Sequence, residues 1–387
     1  MSRRRYRSEE EKRETTSRGE KVLRTCAILL ACFAFLMAGA YGFALWFIEA
    51  PEVERPDMRP SAQVVMPSHD WEPGEQPAER PPQELAPLPG PADDTGWRPD
   101  VYTFLLTGED VGGLTDVIMV VLFDTGNNSI DVLSIPRDTI VNVPWRVKRI
   151  NSYRNMWRHA EAYRHHEHYI YALRDGVERL VGYQTDRWVV LELDGFAELV
   201  DAIGGVYFDV PQRMVYNDPY QGLFINLHPG YQRLTGEQAM GLVRFRRYPQ
   251  GDIQRIRVQH DFLRALSSQL LQARNVWVLN DMVRIFRDNV DTDLTLRELL
   301  FFATEFLQVE SEDIRFHSVD NTMANISENV NGVSYVSLRV EPWLAMINAY
   351  MSPFTFELQA EDLEILTRDP VTRQFFTTNG APFSNNW

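Results

Sequence analysis

A run of 24 residues without a charged side chain, Thr25–Ile48, divides this 387-residue chain and sets what each side of it can become. As a helix the run would reach roughly 36 Å, more than the ~30 Å hydrocarbon core of a bilayer. Before it, residues 1–24 hold nine Lys/Arg against five Glu; after it come Glu49, Glu52 and Glu54. That bias predicts a single-pass anchor, a cytoplasmic N-terminus and an extracytoplasmic remainder. Ala38-Gly39-Ala40 has the small-residue pattern of a signal-peptide cleavage site. The apolar run continues well past it, so an uncleaved anchor is the expectation.

Both cysteines, Cys26 and Cys32, lie inside this run. The portion beyond it therefore has no thiol, which excludes disulfides, cysteine nucleophiles and cysteine metal sites there. Stability must come from a conventional core, and 44% apolar with 12% aromatic content is enough to build one. Residues 49–100 cannot contribute much of it. They carry 12 of the 22 prolines and few aliphatic side chains, the composition of an extended spacer.

From Val101 the texture changes. Val101–Thr107, Val117–Asp124, Ile130–Ile135 and Arg187–Leu193 read as apolar, β-branched strands. Helical patterns alternate with them at Ala160–Val181, Gly195–Ile203, Gly236–Val243, Ile253–Leu271 and Leu296–Val309. Interleaved strands and helices predict an α/β domain, with sheet layered between helices, over 101–353. Ile314–Val319 and Glu341–Tyr350 continue the alternation, and Gly204-Gly205 reads as a helix-end turn. The tail 354–387 offers one candidate strand, Leu363–Leu366.

The chain is acidic, with a formal charge of −15, yet one short stretch reverses the sign: Arg244, Arg246, Arg247, Arg255 and Arg257 against Asp252 alone. Such a reversal points to a polyanion, and arginine's planar fork suits phosphate oxygens. Arg244 and Arg246 would share one side of an extended segment; Arg255 and Gln259 would share one face of a helix. Upstream, Asp110 and Asp116 flank a glycine-bearing loop, and Arg137 closes the turn Ser134-Ile135-Pro136-Arg137-Asp138. Carboxylates able to hold a hard cation, beside arginines able to hold phosphates, describe phosphoryl transfer.

Three segments together carry a resemblance: Leu105–Asp110 with Asp116; Leu133–Asp138, reading LSIPRD; and Leu234–Gln259, reading LTGEQAMGLVRFRRYPQGDIQRIRVQ, preceded by Asp201–Val206. Over most of 101–353 the chain strongly resembles the LytR-CpsA-Psr family of bacterial cell-wall ligases. The resemblance implies a fold with a central mixed sheet between helical layers. It also implies a phosphotransferase that moves a glycopolymer from an undecaprenyl-pyrophosphate carrier to peptidoglycan or a similar wall acceptor, through a phosphodiester. By the same resemblance, Asp110 and Asp116 match the acidic positions near the metal, Mg²⁺ or else Mn²⁺. Arg137 matches the arginine of the SIPRD turn, and Arg149, Arg244, Arg246, Arg255 and Gln259 match or replace the phosphate-binding positions.

The chain also departs from the family pattern. Leu114-Thr115-Asp116 stands where members usually carry Arg-Ser-Asp, and the loop before it is short. Arg149 replaces a lysine, and Val258-Gln259 replaces an Arg-Gln pair. Two alternatives therefore stay open: a pyrophosphatase with water as acceptor, and a non-catalytic binder of lipid-linked glycan. An exported arginine patch is not expected to meet nucleic acid. His165, His166 and His168 lack the i, i+4 spacing by which ligands converge on a helix and are read as a surface feature.

Overall fold

The computed structural model describes residues 50–56, 95–109, 115–161, 163–219, 223–245, 247–249, 252–272, 285, 289–369, 372 and 374–383. The basic tail, the apolar run 25–48 and most of the proline-rich stretch lie outside these residues. Among the described residues no helix is long and apolar enough to cross a membrane. The chain divides into two units, residues 1–52 with 295–304, and residues 53–294 with 305–387.

The larger unit is organised by one sheet. The strands are β1 (Val101–Glu109), β2 (Thr115–Asp124), β3 (Ser129–Ser134), β4 (Arg187–Glu192), β5 (Val206–Val210), β6 (Met214–Asp218), β7 (Leu223–Leu227), β8 (Gly230–Leu234), β9 (Val290–Thr292) and β10 (Ile314–Ser318). Six of them form the central sheet in the order β10-β3-β2-β1-β4-β9. It is mixed: β1–β2, β2–β3 and β4–β9 run antiparallel, while β1–β4 and β3–β10 run parallel. The parallel pairs need crossovers, and α1 (Tyr169–Val181) supplies part of the one before β4. The predicted strands match β1 to β4 and β10 within two residues at each end, and the α/β expectation holds with a mixed sheet.

Alternation along the strands feeds two cores. Leu105, Val120 and Leu133 lie on one face with Leu173 and Val177 of α1 and with Trp343 and Ile347 near the C-terminal end. The second core joins α2 (Leu193–Ala202), α3 (Gly236–Arg244) and α4 (Asp252–Gln272) to the two-stranded ribbons β5–β8 and β6–β7, around Phe196, Phe208, Ile225, Leu242 and Phe262. Gly204 and Gly205, both left-handed at φ 84° and 89°, end α2 by donating to the Asp201 and Val200 carbonyls. Helix α3 starts with a capping box, Thr235 Oγ1 accepting from Gln238 N while Gln238 Oε1 accepts from Thr235 N. Its first residue must be glycine: a Cβ on Gly236 would lie 2.1 Å from the Ala197 carbonyl oxygen.

Two local expectations differ from the structure. The helix expected from Ala160 begins only at Tyr169, because the chain turns before it and His168 caps the helix, accepting from Ile170 N at 3.3 Å. The expected strand Leu363–Leu366 is shifted: β13 (Leu366–Arg368) pairs with β14 (Phe375–Thr377). Between β10 and the tail lie β11 (Ala324–Val330), paired with β12 (Val333–Leu338), and α6 (Val340–Met346), which runs on as a π-helical turn over Ile347–Met351. Helix α5 (Leu296–Phe306), whose residues 296–304 belong to the smaller unit, is capped at its start, where Glu298 accepts from Thr295 N and Oγ1 at 2.8 Å.

The ends of the proline-rich stretch carry specific contacts. Arg55 donates to both oxygens of Asp186 at 2.8 and 2.9 Å and lies over the rings of Trp97 and Tyr102. Trp97 Nε1 donates to the Pro56 carbonyl at 2.8 Å and its ring meets Phe354 edge-on. Residues 53–56 and 95–100 are thereby fixed to the body of the larger unit.

Candidate functional site

Strand β3 runs out of the sheet at Ser134, and the turn that follows is set by Pro136, whose carbonyl accepts from Thr139 N at 2.9 Å. Proline fixes φ, so the chain leaves the sheet in one direction and Arg137 is held at the strand ends. Asn151 N donates to the Arg137 carbonyl at 3.2 Å and locks the turn from behind. From the second core, α4 lays Arg255, Ile256 and Gln259 against the same place. Arg137, Ser134, Arg255, Gln259 and Val117 of β2 line one narrow cleft of about 10 Å³, room for little more than a single water. Two guanidiniums 118 positions apart in sequence thus meet at one opening.

The helices are cross-braced here. Gln259 Nε2 donates to the Val243 carbonyl at 2.8 Å, tying α4 to the last turn of α3, where Arg244 stands half-buried. Arg255 is 5% exposed. Beside it, burial pushes the Tyr248 phenol up to about 12, opposed by the Arg255 charge, so the hydroxyl keeps its proton as a potential donor. Arg247 is not at the cleft; it lies over the Tyr216 ring at 5.1 Å and is exposed, as is Arg257. Arg149 is committed elsewhere as well. Its Nη1 pairs with Asp138 at 3.2 Å and its Nη2 donates to the Ser334 carbonyl at 2.8 Å, so it braces the segment after Arg137.

Of the two acidic positions, Asp116 falls in β2. Glu109, the last residue of β1, pairs with Thr115 across a register shift, so the backbone of Asp116 stands in β2 next to Val117 of the cleft. Asp110, which follows Glu109 in sequence, lies outside the described residues, as do Leu114, Arg246 and the side chain of Asp116. Two carboxylates six positions apart in the sequence, Asp110 and Asp116, are hard-oxygen donors of the kind Mg²⁺ or Mn²⁺ accepts. Among the described residues no group of three or more His, Cys, Asp or Glu could hold a metal ion. His166 stacks between Tyr163 and Tyr171, and His168 stacks on Trp188.

One pair at the cleft has no signature in the sequence. Ser134 Oγ and His260 Nε2 lie 2.5 Å apart, with both residues buried. Burial, helped by the nearby charges of Arg264 and His317, pushes the His260 imidazole down to about 4. It is therefore neutral at pH 7. The folded state holds no proton there until about pH 4, whereas an unfolded histidine takes one near 6.5, so this stability is complete above pH 6.5 and lost as pH falls toward 4. The expected loss is about 3 kcal/mol. Urea denaturation at pH 7.5 and 4.5 should show it, and His260→Gln should flatten that part of the slope; an unchanged slope would refute the assignment.

The LytR_cpsA_psr family profile matches residues 94–349. The chain belongs to the LytR-CpsA-Psr family. That match covers the central sheet, the second core and every residue of the cleft. Among curated relatives, the chain is 35% identical over 165 residues to a probable cell wall biosynthesis protein, LcpB, of Corynebacterium glutamicum, covering 42% of this chain and 36% of that one. It is 27% identical over 223 residues to the regulatory protein MsrR of Staphylococcus aureus, covering 56% and 63%. For the first curated relatives in the comparison, then, the match spans about half to just under two thirds of their length. Two solved structures of the family share the fold: Bacillus subtilis TagV, at 22% identity, TM-score 0.52, covering 65% of this chain and 96% of that one, and TagT bound to LIIa-WTA, at 19%, 0.52, 67% and 92%.

Proposed function

We propose that this protein is a membrane-anchored phosphotransferase. In this reading it moves a glycopolymer from an undecaprenyl-pyrophosphate carrier to peptidoglycan or a similar wall acceptor and forms a phosphodiester. The observation that carries it is the convergence of Arg137 and Arg255 on one cleft beside the start of β2. A pyrophosphate repels a nucleophile through its own charge, and two forked cations at a narrow opening neutralise that charge where it grows. A role in building the cell wall agrees with the relative LcpB, a probable cell wall biosynthesis protein.

In this mechanism Arg137 and Arg255 bind the diphosphate oxygens and orient the P–O–P bond, which breaks as the acceptor oxygen attacks the glycan-bearing phosphorus and undecaprenyl phosphate leaves. Gln259 holds the end of α3 so that Arg244 can join them. Neutral His260 keeps Ser134 in place against the cleft wall, and the protonated Tyr248 hydroxyl serves as a donor near Arg255. Asp110 and Asp116 would hold Mg²⁺, which would supply further neutralisation of the diphosphate charge when bound. Either carboxylate can take the acceptor hydroxyl's proton. The apolar run 25–48 fits a membrane anchor, which would keep the cleft near its lipid carrier.

Donor recognition can be tested apart from turnover. Calorimetric titration of the full-length protein with geranyl pyrophosphate should show binding that weakens about 10- to 100-fold in Arg255→Gln, the worth of one charged hydrogen-bonding group. Equal affinity in the variant would remove Arg255 from the phosphate site.

A further inference from the structure

A second cleft, with a volume of about 500 Å³, opens at the other end of the same strands. Leu122 and Asp131, which face each other across β2–β3, belong to it, whereas Met119 and Ser134 belong to the phosphate cleft. The two clefts therefore lie at opposite ends of these strands. Along β3 the separation from Ser129 to Ser134 is roughly 17 Å.

The lining is polar, rigid and nearly charge-balanced. Asp131, buried against water, accepts from Arg315 Nε and Nη2 at 2.8 and 2.6 Å and lies 2.7 Å from His317 Nε2. Asp124 is paired with Arg98 and accepts from Asn127 N and Nδ2 at 3.0 and 2.9 Å. With Glu357, two arginines stand against three carboxylates, so the lining is acidic by one charge and does not suit a polyanion. One wall is aromatic. Tyr350 is 46% exposed and its ring is backed by His317 at 4.6 Å in a stacked arrangement, which leaves one ring face for a ligand. It is displayed by the π-helical turn Ile347–Met351, a geometry found often at functional sites. Tyr350 and the wall 352–357 also lie beyond the stretch matched by the family profile, 94–349.

We infer that this cleft binds an uncharged oligosaccharide, a segment of a glycan chain lying against Tyr350 with its hydroxyls on the Asp131–Arg315 and Asp124–Arg98 pairs. A sugar ring has an apolar C–H face that packs on an aromatic ring, and vicinal hydroxyls that match planar two-pronged partners. A net acidic lining rejects phosphate and accepts hydroxyl donors. The volume falls in the ordinary range for small-ligand sites. The inference rests on this cleft alone and does not depend on the phosphate cleft.

The test uses full-length protein in lipid nanodiscs, since maltoside detergents would themselves present sugar. Saturation-transfer NMR and calorimetry would be run with N-acetylglucosamine tetramer, a galactan oligosaccharide and an arabinan oligosaccharide. At least one should bind saturably, with Tyr350→Ala weakening it about tenfold or more. Geranyl pyrophosphate affinity should stay unchanged in that variant, which separates this outcome from failure of the phosphate site. A second variant, Glu357→Gln, reports on the same wall without touching the core. Absence of saturable binding by all three probes at 10 mM (about the weakest affinity worth assigning to a site) would overturn the inference. So would binding that Tyr350→Ala leaves untouched.

Discussion

Replacing Arg137 by alanine should lower the rate of glycopolymer transfer about 100- to 1,000-fold while leaving the fold in place, the size expected for removing one donor aimed at developing charge. The guanidinium stands on a turn that the backbone already specifies: Pro136 closes it onto Thr139 N, and the Arg137 carbonyl is held by Asn151 N. The turn therefore survives truncation of the side chain. Arg137→Lys should recover only part of the loss, because an ammonium offers charge without the two-pronged fork. Near-wild-type transfer by Arg137→Ala, with unchanged circular dichroism and melting, would show that the cleft is not the reacting site.

The second large effect concerns stability, not chemistry. Asp186→Ala should destabilise the protein by about 3–5 kcal/mol, the range for leaving one member of a buried ion pair alone. The Asp186 side chain is 2% exposed and accepts from Arg55 twice, from Thr103 N at 2.8 Å and from Thr103 Oγ1 at 3.0 Å. Without it, the Arg55 guanidinium is left between Trp97 and Tyr102 with no counter-charge from that position. Arg55→Met should cost less than Asp186→Ala, because Thr103 still satisfies part of the carboxylate. The midpoint of urea unfolding checks both, and the double variant should fall short of the sum of the singles. A loss below about 1 kcal/mol for Asp186→Ala would mean that residues 53–56 are not fixed to the body of the unit.

Much of the fold is legible because its strands announce themselves. β1, β2 and β3 are buried nearly throughout, so their sequences are rich in apolar residues, with ends marked by Asp124, Gly126 and Pro136. The ribbons β5–β8 and β6–β7 escape a sequence reading for the opposite reason. Their burial alternates, but Tyr207, Phe224 and Tyr231 occupy exposed positions, so the polarity pattern that should reveal a half-buried strand is blurred. The start of α1 is hidden because its cap is His168, not one of the residues usually found there. Composition misleads in a similar way over residues 49–100. A few of them, Arg55 and Trp97 above all, make contacts that a proline-rich average conceals.

The candidate site divides along the same line. Arg137, Arg255 and Gln259 can be read from motif and helical spacing, and the structure brings them to one cleft. Arg149 shares the motif but not the place, since its charge is spent on Asp138. Ser134 and His260 each lie inside or beside a recognised motif, yet their pairing joins residues 126 positions apart, and no local pattern encodes that. The cleft at the opposite end is invisible in the sequence for the same reason: its walls come from five separate segments between Arg98 and Glu357.

The most direct test of the proposed chemistry follows the product. Full-length protein would be incubated with a short-chain polyprenyl-pyrophosphate disaccharide and a peptidoglycan oligomer, with Mg²⁺ or with EDTA, and the products weighed by mass spectrometry. The account predicts a disaccharide joined to the oligomer through one phosphodiester, formed only with the metal present and reduced to a trace in Arg137→Ala. Free sugar phosphate without any adduct would make water the acceptor and contradict the ligase; donor binding without turnover would leave a glycan-binding protein in its place.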